Sequence, residues 1–214
     1  MHQILVYGDS LSWGLIPGTR ERLDFPDRWP GVVETQLREQ QIEVRMIEDC
    51  LNGRRTVWED PFKPGRNGLI GLEQRIEVNS PLRLVIFFLG VNDFQCMHQA
   101  DAFQSAAGLR CLVEAVRRAP VEPGMPTPEI LLIAPPRLQK RESSVAAKFS
   151  DAAEKSVGLS AEIEAVADAM QCHFFDAAKV IQTSEIDGVH LDKDQNQKLG
   201  HELVPVLKQL LAKA

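Results

Sequence analysis

The segment Leu82-Arg83-Leu84-Val85-Ile86-Phe87-Phe88-Leu89 is apolar at every position except Arg83. Such a run has no polar face, so it predicts a β-strand that is covered on both sides, as in a parallel sheet. Residues 3–7 and Ile130 to Ala134 have a similar character and predict two more buried strands. Ile42 to Ile47 alternates apolar and polar side chains, which indicates an edge or half-buried strand. A brief last strand is predicted at His173 to Phe175.

Segments with a helical spacing of apolar residues separate these strands. They are Trp29 to Gln41, about Leu69 to Val78, Ala102 to Arg118, Val145 to Met170 and Asn196 to Lys213. We expect a break near Gly158, because glycine is a poor interior helix residue, and a last helix that continues through Pro205. The alternation predicts a three-layer α/β/α sandwich around a parallel sheet of about five strands. Residues 1–214 contain no repeat or linker, so a single domain is expected.

Composition narrows the function classes. The chain has 214 residues, of which 44% are hydrophobic and 25% charged, as is usual for globular proteins. A net charge of −6 disfavours nucleic acid and anionic membranes as partners. The N-terminus lacks the pattern of a signal peptide and no apolar run approaches roughly 18 residues, so a cytoplasmic protein is expected. The four cysteines form no Cys-x-x-Cys pair, which predicts free thiols and no metal site.

Parallel sheets bind ligands at the carboxyl ends of their strands, and four short blocks fall at such positions. They are Gly8-Asp9-Ser10-Leu11-Ser12-Trp13-Gly14, Asn52-Gly53-Arg54-Arg55, Gly90-Val91-Asn92-Asp93 and Asp187-Gly188-Val189-His190. The first block places a serine hydroxyl on a tight turn after a strand. Each block, considered alone, is also compatible with an ordinary turn or helix cap.

Together, the four blocks supply a nucleophile, a base, an orienting acid and oxyanion donors, which is the set that acyl transfer needs. The spacing of Asp187 and His190 allows the carboxylate to accept the Nδ1 proton, which leaves Nε2 free as a base. The serine block is not the G-x-S-x-G elbow of α/β-hydrolases, since Ser12 stands where that motif has its second glycine.

In these blocks the sequence resembles the SGNH hydrolases, also called the GDSL esterase/lipase family, whose four letters match Ser10, Gly53, Asn92 and His190 in order. Further motifs resemble the bacterial arylesterase/acyltransferase branch, namely the whole first block, Arg28-Trp29-x-Gly31, Asp60-Pro61 with Asn67-Gly68, and Ala134-Pro135-Pro136. The resemblance spans nearly the whole chain. It implies the flavodoxin-like SGNH fold, hydrolysis of short-chain or aryl esters, acyl transfer to alcohols in some members, no cofactor, and homo-oligomers from dimers to octamers.

The resemblance also implies roles for individual residues. Ser10 is the expected nucleophile, His190 the expected base and then acid, and Asp187 the residue that orients it. The backbone N–H groups of Ser10 and Gly53 and the side-chain amide of Asn92 are the expected oxyanion hole. The charged residues Arg54-Arg55 and the charged segment Gln139 to Ser150 depart from the pattern of the branch.

Other residues near the blocks have less specific predictions. Leu11, Trp13 and Phe94 are candidates to line an apolar acyl or aryl pocket, although ordinary core packing explains them equally well. Asp9 and Asp93 are expected to brace their loops through hydrogen bonds to the backbone.

Several alternatives stay open at this point. Ser12 is a second candidate nucleophile, His98 a candidate substrate contact, and His201 an expected residue of a solvated helix face. A carbohydrate O-acetyl esterase of the same family is the main rival function, although one Tyr and three Trp offer few sugar-binding rings. A non-catalytic binding domain and a phosphate-accepting domain using Asp9 would leave the Ser-Asn-His set unexplained. Loops 54–68 and 137–150 are expected to form a lid or subunit contacts.

Overall fold

Strand β3 (Leu84–Phe88) lies at the centre of the sheet, and its side chains are buried from end to end. It is flanked by β1 (His2–Gly8) and β4 (Glu129–Ala134), while β2 (Val44–Cys50) and β5 (His173–Asp176) form the edges. The computed structural model describes residues 1–143 and 145–212, and within them these strands form one five-stranded sheet in the order β2-β1-β3-β4-β5. Every pair is parallel. The predicted parallel sheet, including its half-buried edge strand, is therefore confirmed.

Helices cover both faces of this sheet. They are α1 (Ser10–Trp13), α2 (Trp29–Glu39), α3 (Leu72–Asn79), α4 (Ala102–Arg118), α5 (Ala152–Lys155), α6 (Leu159–Ala169) and α7 (Lys193–Leu211). α2 packs against α7, whereas α4 packs against α3 and α6, so the long helices form two groups, one for each face. This arrangement confirms the predicted three-layer α/β/α class. Within the described residues, no helix combines the length and the apolar content that crossing a membrane requires.

Helix α4 has the predicted bounds because both its start and its inner face are encoded locally. The Asp101 carboxylate accepts a hydrogen bond from the Gln104 N–H at 2.8 Å, and the Gln104 side chain accepts one from the Asp101 N–H at 3.0 Å. This reciprocal capping box satisfies two donors at the helix start. Leu109, Leu112 and Val116 point inward from successive turns and are buried.

Several predicted elements have different bounds in the structure, and strand β2 and the helix predicted over residues 145–170 are two of them. Strand β2 begins at Val44 rather than Ile42, because the Ile42 N–H still donates to the Leu37 carbonyl in the turn that ends α2. The predicted helix over residues 145–170 is a short 3-10 helix (Ala146–Phe149) followed by α5 and α6. The break at Gly158 is confirmed, but the earlier part is interrupted as well, at Asp151, whose backbone leaves helical angles (φ −112°, ψ 7°).

The last helix begins earlier than predicted. α7 starts at Lys193 rather than Asn196, directly after the fourth sequence block, and it includes Pro205 as expected. The predicted end at Lys213 lies outside the described residues. Because α7 packs along α2, the block that precedes it is held at the carboxyl edge of the sheet.

Candidate active site

Ser10 stands where strand β1 passes into helix α1. Asp9 is the N-cap of this helix, since its Oδ1 accepts a hydrogen bond from the Leu11 N–H at 2.9 Å. Ser10 is therefore the first residue of the helix. The alternative interpretation of the sequence, in which this serine is a helix cap, is wrong, because Asp9 is the cap. Its side chain is largely buried, with 7% of the residue exposed.

The imidazole of His190 lies between Ser10 and Asp187. His190 Nε2 is 3.1 Å from Ser10 Oγ, and His190 Nδ1 is 2.7 Å from Asp187 Oδ2. With the Nδ1–H donating a hydrogen bond to this carboxylate, Nε2 faces the serine hydroxyl without a proton of its own. The structure thus brings together, from the two ends of the chain, the three side chains that are expected as nucleophile, base and acid.

The turn that carries Asp187 and His190 is fixed by its own backbone. Asp187 Oδ1 accepts hydrogen bonds from the Val189 N–H at 3.0 Å and the His190 N–H at 2.9 Å. Gly188 has a positive φ of 71°, and a Cβ at this position would lie 2.0 Å from the carbonyl oxygen of Gln139. Glycine is therefore required at position 188 both by the backbone angle and by the close approach of the neighbouring chain.

Asp187 is charged in spite of its burial. Burial on its own raises the pKa of this carboxyl, but the hydrogen bond and the charge of His190, together with the two backbone N–H donors, hold the pKa below its ordinary value. A carboxylate that stays ionised can stabilise the imidazolium that forms when His190 takes a proton.

The expected oxyanion donors lie on three separate loops. Gly53 follows β2 in a turn with φ 86°, a backbone angle that favours glycine. Within the described residues, no backbone carbonyl accepts a hydrogen bond from the N–H of Ser10 or of Gly53. These two amides therefore remain available for a ligand oxygen.

Asn92 connects these loops to one another. It lies in a 3-10 helix (Val91–Phe94) directly after β3, and its Nδ2 donates to Asp9 Oδ2 at 2.9 Å and to the Arg54 carbonyl at 3.1 Å. Its Oδ1 accepts from Gln95 Nε2 at 3.0 Å. Because both amide hydrogens already have protein acceptors, an oxyanion at this site would have to share one of them with Asp9 or Arg54.

The two aspartates of the serine and asparagine blocks brace their loops, as predicted. Besides its bonds to Leu11 and Asn92, Asp9 is fully buried, and burial raises its pKa to about 6. Asp93 accepts hydrogen bonds from the Thr56 N–H, the Thr56 hydroxyl and the Ser105 hydroxyl. Burial also raises the pKa of Asp93.

The predicted pocket residues separate into two groups. Leu11 and Phe94 are 2% and 0% exposed and belong to the hydrophobic core, so core packing, the alternative interpretation, accounts for them. They offer no surface to a substrate in this structure. Trp13 is partly exposed, and the Arg22 guanidinium lies 5.0 Å from the centre of its ring.

The remaining candidates have other contacts or positions. Ser12 is fully buried, and its Oγ accepts a hydrogen bond from Trp29 Nε1 at 3.2 Å, so it serves the packing of α2. His98 is mostly buried, and its carbonyl accepts a hydrogen bond from Lys155 Nζ at 2.7 Å. His201 is exposed on α7, as expected.

Arg54 is the residue that sequence reasoning left without a role. Its guanidinium donates to the Gly8 carbonyl at 3.0 Å and to Asp49 Oδ1 at 2.6 Å, and it lies 3.8 Å from the centre of the Tyr7 ring. It therefore joins the ends of β1 and β2 directly beside Gly53. The position of Arg54 next to the expected oxyanion glycine is the signal that could have indicated a role. Its partners could not be predicted, because Gly8 and Asp49 lie on different strands.

Comparison with known proteins identifies the family of the chain. The sequence model of the GDSL-like lipase/acylhydrolase family matches residues 6–200, which is most of the chain. The chain therefore belongs to the GDSL-like lipase/acylhydrolase family, the SGNH hydrolases that the four blocks resemble. A search of curated proteins finds no match.

Solved structures of high similarity carry two kinds of description. A carbohydrate acetylesterase family member from Sinorhizobium meliloti is 36% identical, with a TM-score of 0.92 over 99% of this chain and 100% of that one. A second carbohydrate acetylesterase from that organism is 32% identical, with a TM-score of 0.91 over 98% and 100%. The aryl esterase of M. smegmatis is 32% identical, with a TM-score of 0.90 over 98% and 100%. The chain is thus similar along its whole length to esterases of this family.

Proposed function

We propose that the protein is a serine esterase that hydrolyses short-chain acyl or aryl esters through Ser10, His190 and Asp187. The observation that carries the proposal is the continuous chain of contacts from Ser10 Oγ to His190 Nε2 at 3.1 Å and from His190 Nδ1 to Asp187 Oδ2 at 2.7 Å. Nucleophile and base are within hydrogen-bond reach, and a buried carboxylate orients the base.

In the proposed reaction, His190 Nε2 takes the hydroxyl proton of Ser10 as Oγ attacks the ester carbonyl. The negative charge that develops on the carbonyl oxygen is stabilised by the N–H groups of Ser10 and Gly53 and by the Asn92 amide. The tetrahedral intermediate collapses, and the departing alcohol receives the proton from His190. Water then attacks the acyl-enzyme with His190 again as base, which releases the acid and restores Ser10.

A carbohydrate O-acetyl esterase is the second candidate, and the two similar structures described as carbohydrate acetylesterases favour it. The chemistry at Ser10 is the same for an acetylated sugar and for an aryl acetate. The two candidates differ only in the alcohol that leaves, so they are distinguished by substrate and not by mechanism.

The test compares hydrolysis of p-nitrophenyl acetate, p-nitrophenyl decanoate and an acetylated sugar in the presence of EDTA. We expect acetate turnover by the wild type and its loss in Ser10→Ala, with decanoate a poor substrate. Ser12→Ala is the matched control, since it removes a nearby hydroxyl that does not contact His190. Activity that survives Ser10→Ala or that EDTA abolishes would overturn the proposal, and faster release of acetate from the sugar would select the second candidate.

Acyl transfer to alcohols is a further part of the proposal. It requires an alcohol to compete with water for the acyl-enzyme. The partition of the acyl-enzyme between transfer and hydrolysis is therefore measured from the products and not from the rate of the first step. Adding 1-butanol to the acetate reaction and measuring butyl acetate against acetic acid gives this partition. Acetic acid alone would restrict the activity to hydrolysis.

A further inference from the structure

Two cationic side chains lie directly beside the expected oxyanion glycine. Lys63 Nζ and Arg66 Nε donate to the same acceptor, the carbonyl oxygen of Asn52, at 3.2 and 3.1 Å. A Cβ built on Gly53 would lie 3.7 Å from each of these nitrogens. Loop 54–68, which the sequence predicts as a lid or subunit contact, therefore brings two positive charges next to Gly53.

Two further cations lie on segments that contact the loops around the site. The Lys148 carbonyl accepts a hydrogen bond from the Cys96 N–H at 2.7 Å, which attaches Lys148 to the loop that follows Asn92. Arg20 lies two residues after Gly18, where a Cβ would come within 3.0 Å of Ile186, next to Asp187. We call Arg20, Lys63, Arg66 and Lys148 the cationic rim.

The other three charges are close enough to influence Lys63. Burial lowers the pKa of Lys63, and the positive charges of Arg66, Lys148 and Arg20 lower it further. Asp60 acts in the opposite direction, but it is buried and its Oδ1 accepts the Phe62 N–H at 2.8 Å. Arg20, Lys63 and Lys148 are exposed, so the rim presents its charge to solvent.

This concentration of positive charge contrasts with the chain as a whole, which has a net charge of −6. Like charges repel, and holding one loop carbonyl requires only one donor, so loop stability does not account for the rim. A cleft that gathers charge of one sign raises the local concentration of ligands of the opposite sign, with effects on association of roughly 10- to 1000-fold.

We propose that the cationic rim selects anionic esters, that is, substrates with a carboxylate on the acyl or the alcohol part. The inference rests on the proposed function, because it concerns the same Ser10-dependent reaction. The neutral part of the substrate occupies the site at Ser10, while its carboxylate lies toward Lys63 and Lys148.

The experiment uses matched ester pairs in which a carboxylate replaces a neutral group of similar size. For the alcohol side, 4-acetoxybenzoate is compared with methyl 4-acetoxybenzoate. For the acyl side, mono-p-nitrophenyl adipate is compared with p-nitrophenyl hexanoate, because the longer spacer keeps the carboxylate from attacking its own ester. Each kcat/KM is divided by the rate constant for hydroxide, which removes differences in intrinsic reactivity. We expect a preference for the anionic member of about tenfold in at least one pair at low salt, reduced severalfold at 0.5 M NaCl because ions screen the rim.

The variants Lys63→Gln and Lys148→Gln test the assignment to the rim. Each is expected to lower the anionic-to-neutral ratio about threefold, and the double variant about tenfold, in the range of exposed charge interactions. A substitution that merely displaces the loop lowers kcat/KM for both esters of a pair, so the anionic-to-neutral ratio stays the same. Lys208→Gln is the matched control, since Lys208 contacts Gln40 and lies near the N-terminus of β1, at the opposite edge of the sheet.

The outcomes separate the inference from the proposed function. Ser10-dependent turnover with no anionic preference, or with a preference that the double variant retains, would overturn the inference and leave the esterase proposal in place. An absence of Ser10-dependent turnover on every ester would remove both. A preference in one pair only would assign the carboxylate to the alcohol side or to the acyl side.

Discussion

Asp9 and Asp187 are both fully buried beside the same serine, yet their pKa values move in opposite directions. Burial raises the pKa of Asp9 to about 6, despite the Leu11 N–H, the charges of His190 and Arg54 and the Asn92 amide. The pKa of Asp187 is held below its usual value, because its bonds to His190 and to the backbone outweigh burial. Burial alone therefore does not determine which carboxyl carries the negative charge.

The difference lies in the donors. Asp187 receives hydrogen bonds from two backbone N–H groups and from the ring of His190, which becomes a cation in the proposed reaction. Asp9 receives one neutral donor on each oxygen, from the Leu11 N–H and the Asn92 amide. Charged or multiple donors stabilise a carboxylate more than single neutral ones. Asp187 is thus suited to stabilising His190, and Asp9 to holding Asn92.

The largest effect is expected from Asp187→Asn. An asparagine would offer an amide to His190 Nδ1 in place of a charged acceptor, so Nε2 would carry the proton and could not act as a base. The same substitution in serine proteases lowers kcat about 10⁴-fold, and we expect a similar loss with p-nitrophenyl acetate. Asp176→Asn is the control, because Asp176 caps a short helix at the end of β5. A loss of less than tenfold would show that Asp187 does not set the state of His190.

Asp9→Asn is expected to have the next largest effect, through Asn92. The new amide would direct a donor at the Asn92 Nδ2, which is itself a donor, so Asn92 would lose an acceptor and its orientation. Loss of an oxyanion donor lowers kcat roughly 100- to 1000-fold, and misplacing one is expected to cost about 100-fold, with a smaller change in KM.

A double variant distinguishes this positioning role from an independent one. If Asp9 acts through Asn92, the kcat of Asp9→Asn combined with Asn92→Ala equals that of Asn92→Ala alone. If the two losses of kcat multiply in the double variant, Asp9 acts independently of Asn92. The proposal that Asp9 holds Asn92 while Asp187 stabilises His190 would then be wrong.

The comparison also predicts a pH dependence of stability. Because the pKa of Asp9 is higher in the folded protein than in the unfolded chain, the stability from protonated Asp9 is present below about pH 4 and is lost as the pH rises through about 6. The free energy of unfolding of the wild type should therefore fall by about 3 kcal/mol relative to Asp9→Asn over this interval. The contribution of Asp187 has the opposite pH dependence. Because its pKa is lowered in the folded protein, its stabilising effect is lost as the pH falls through that lowered pKa.

Denaturant unfolding of both proteins from pH 4 to pH 8 measures this difference. The contribution of Asp187 is common to the two proteins and cancels, so the change between pH 4 and 6 reports Asp9. A constant difference over the whole range would mean that Asp9 keeps an ordinary pKa in the folded protein.

The sequence predicts the strands, α4 and the meeting of Ser10, Asn92 and His190, because these follow from local patterns and from the rule that parallel strands end at one edge. The opposite pKa shifts of Asp9 and Asp187 could not be predicted, since they depend on donors such as Asn92 from distant strands. Arg54 was missed for the same reason.

Other differences have local physical causes. Leu11 lies next to Ser10 in sequence, but its side chain points into the core, because successive residues at the start of a helix face different directions. The segment before Gly158 has enough apolar residues to predict a helix, but the backbone leaves helical angles at Asp151. The Asp151 side chain accepts no backbone hydrogen bond from the described residues at this break and pairs instead with Lys155 Nζ at 2.8 Å.

The smallest effect is expected from Ser12→Ala, which separates the catalytic from the packing role of the two serines in the first block. Its hydroxyl accepts the Trp29 Nε1–H in the buried contact between α1 and α2, so its removal leaves one buried donor without a partner. The free energy of unfolding should fall by about 1 to 2 kcal/mol, while kcat on p-nitrophenyl acetate stays within twofold of the wild type. Ser10→Ala should show the reverse, with activity lost and stability nearly unchanged. If Ser12→Ala lost activity and kept its stability, the nucleophile would have to be reassigned. The hydrogen bond between Ser10 Oγ and His190 Nε2 would then have no role in catalysis.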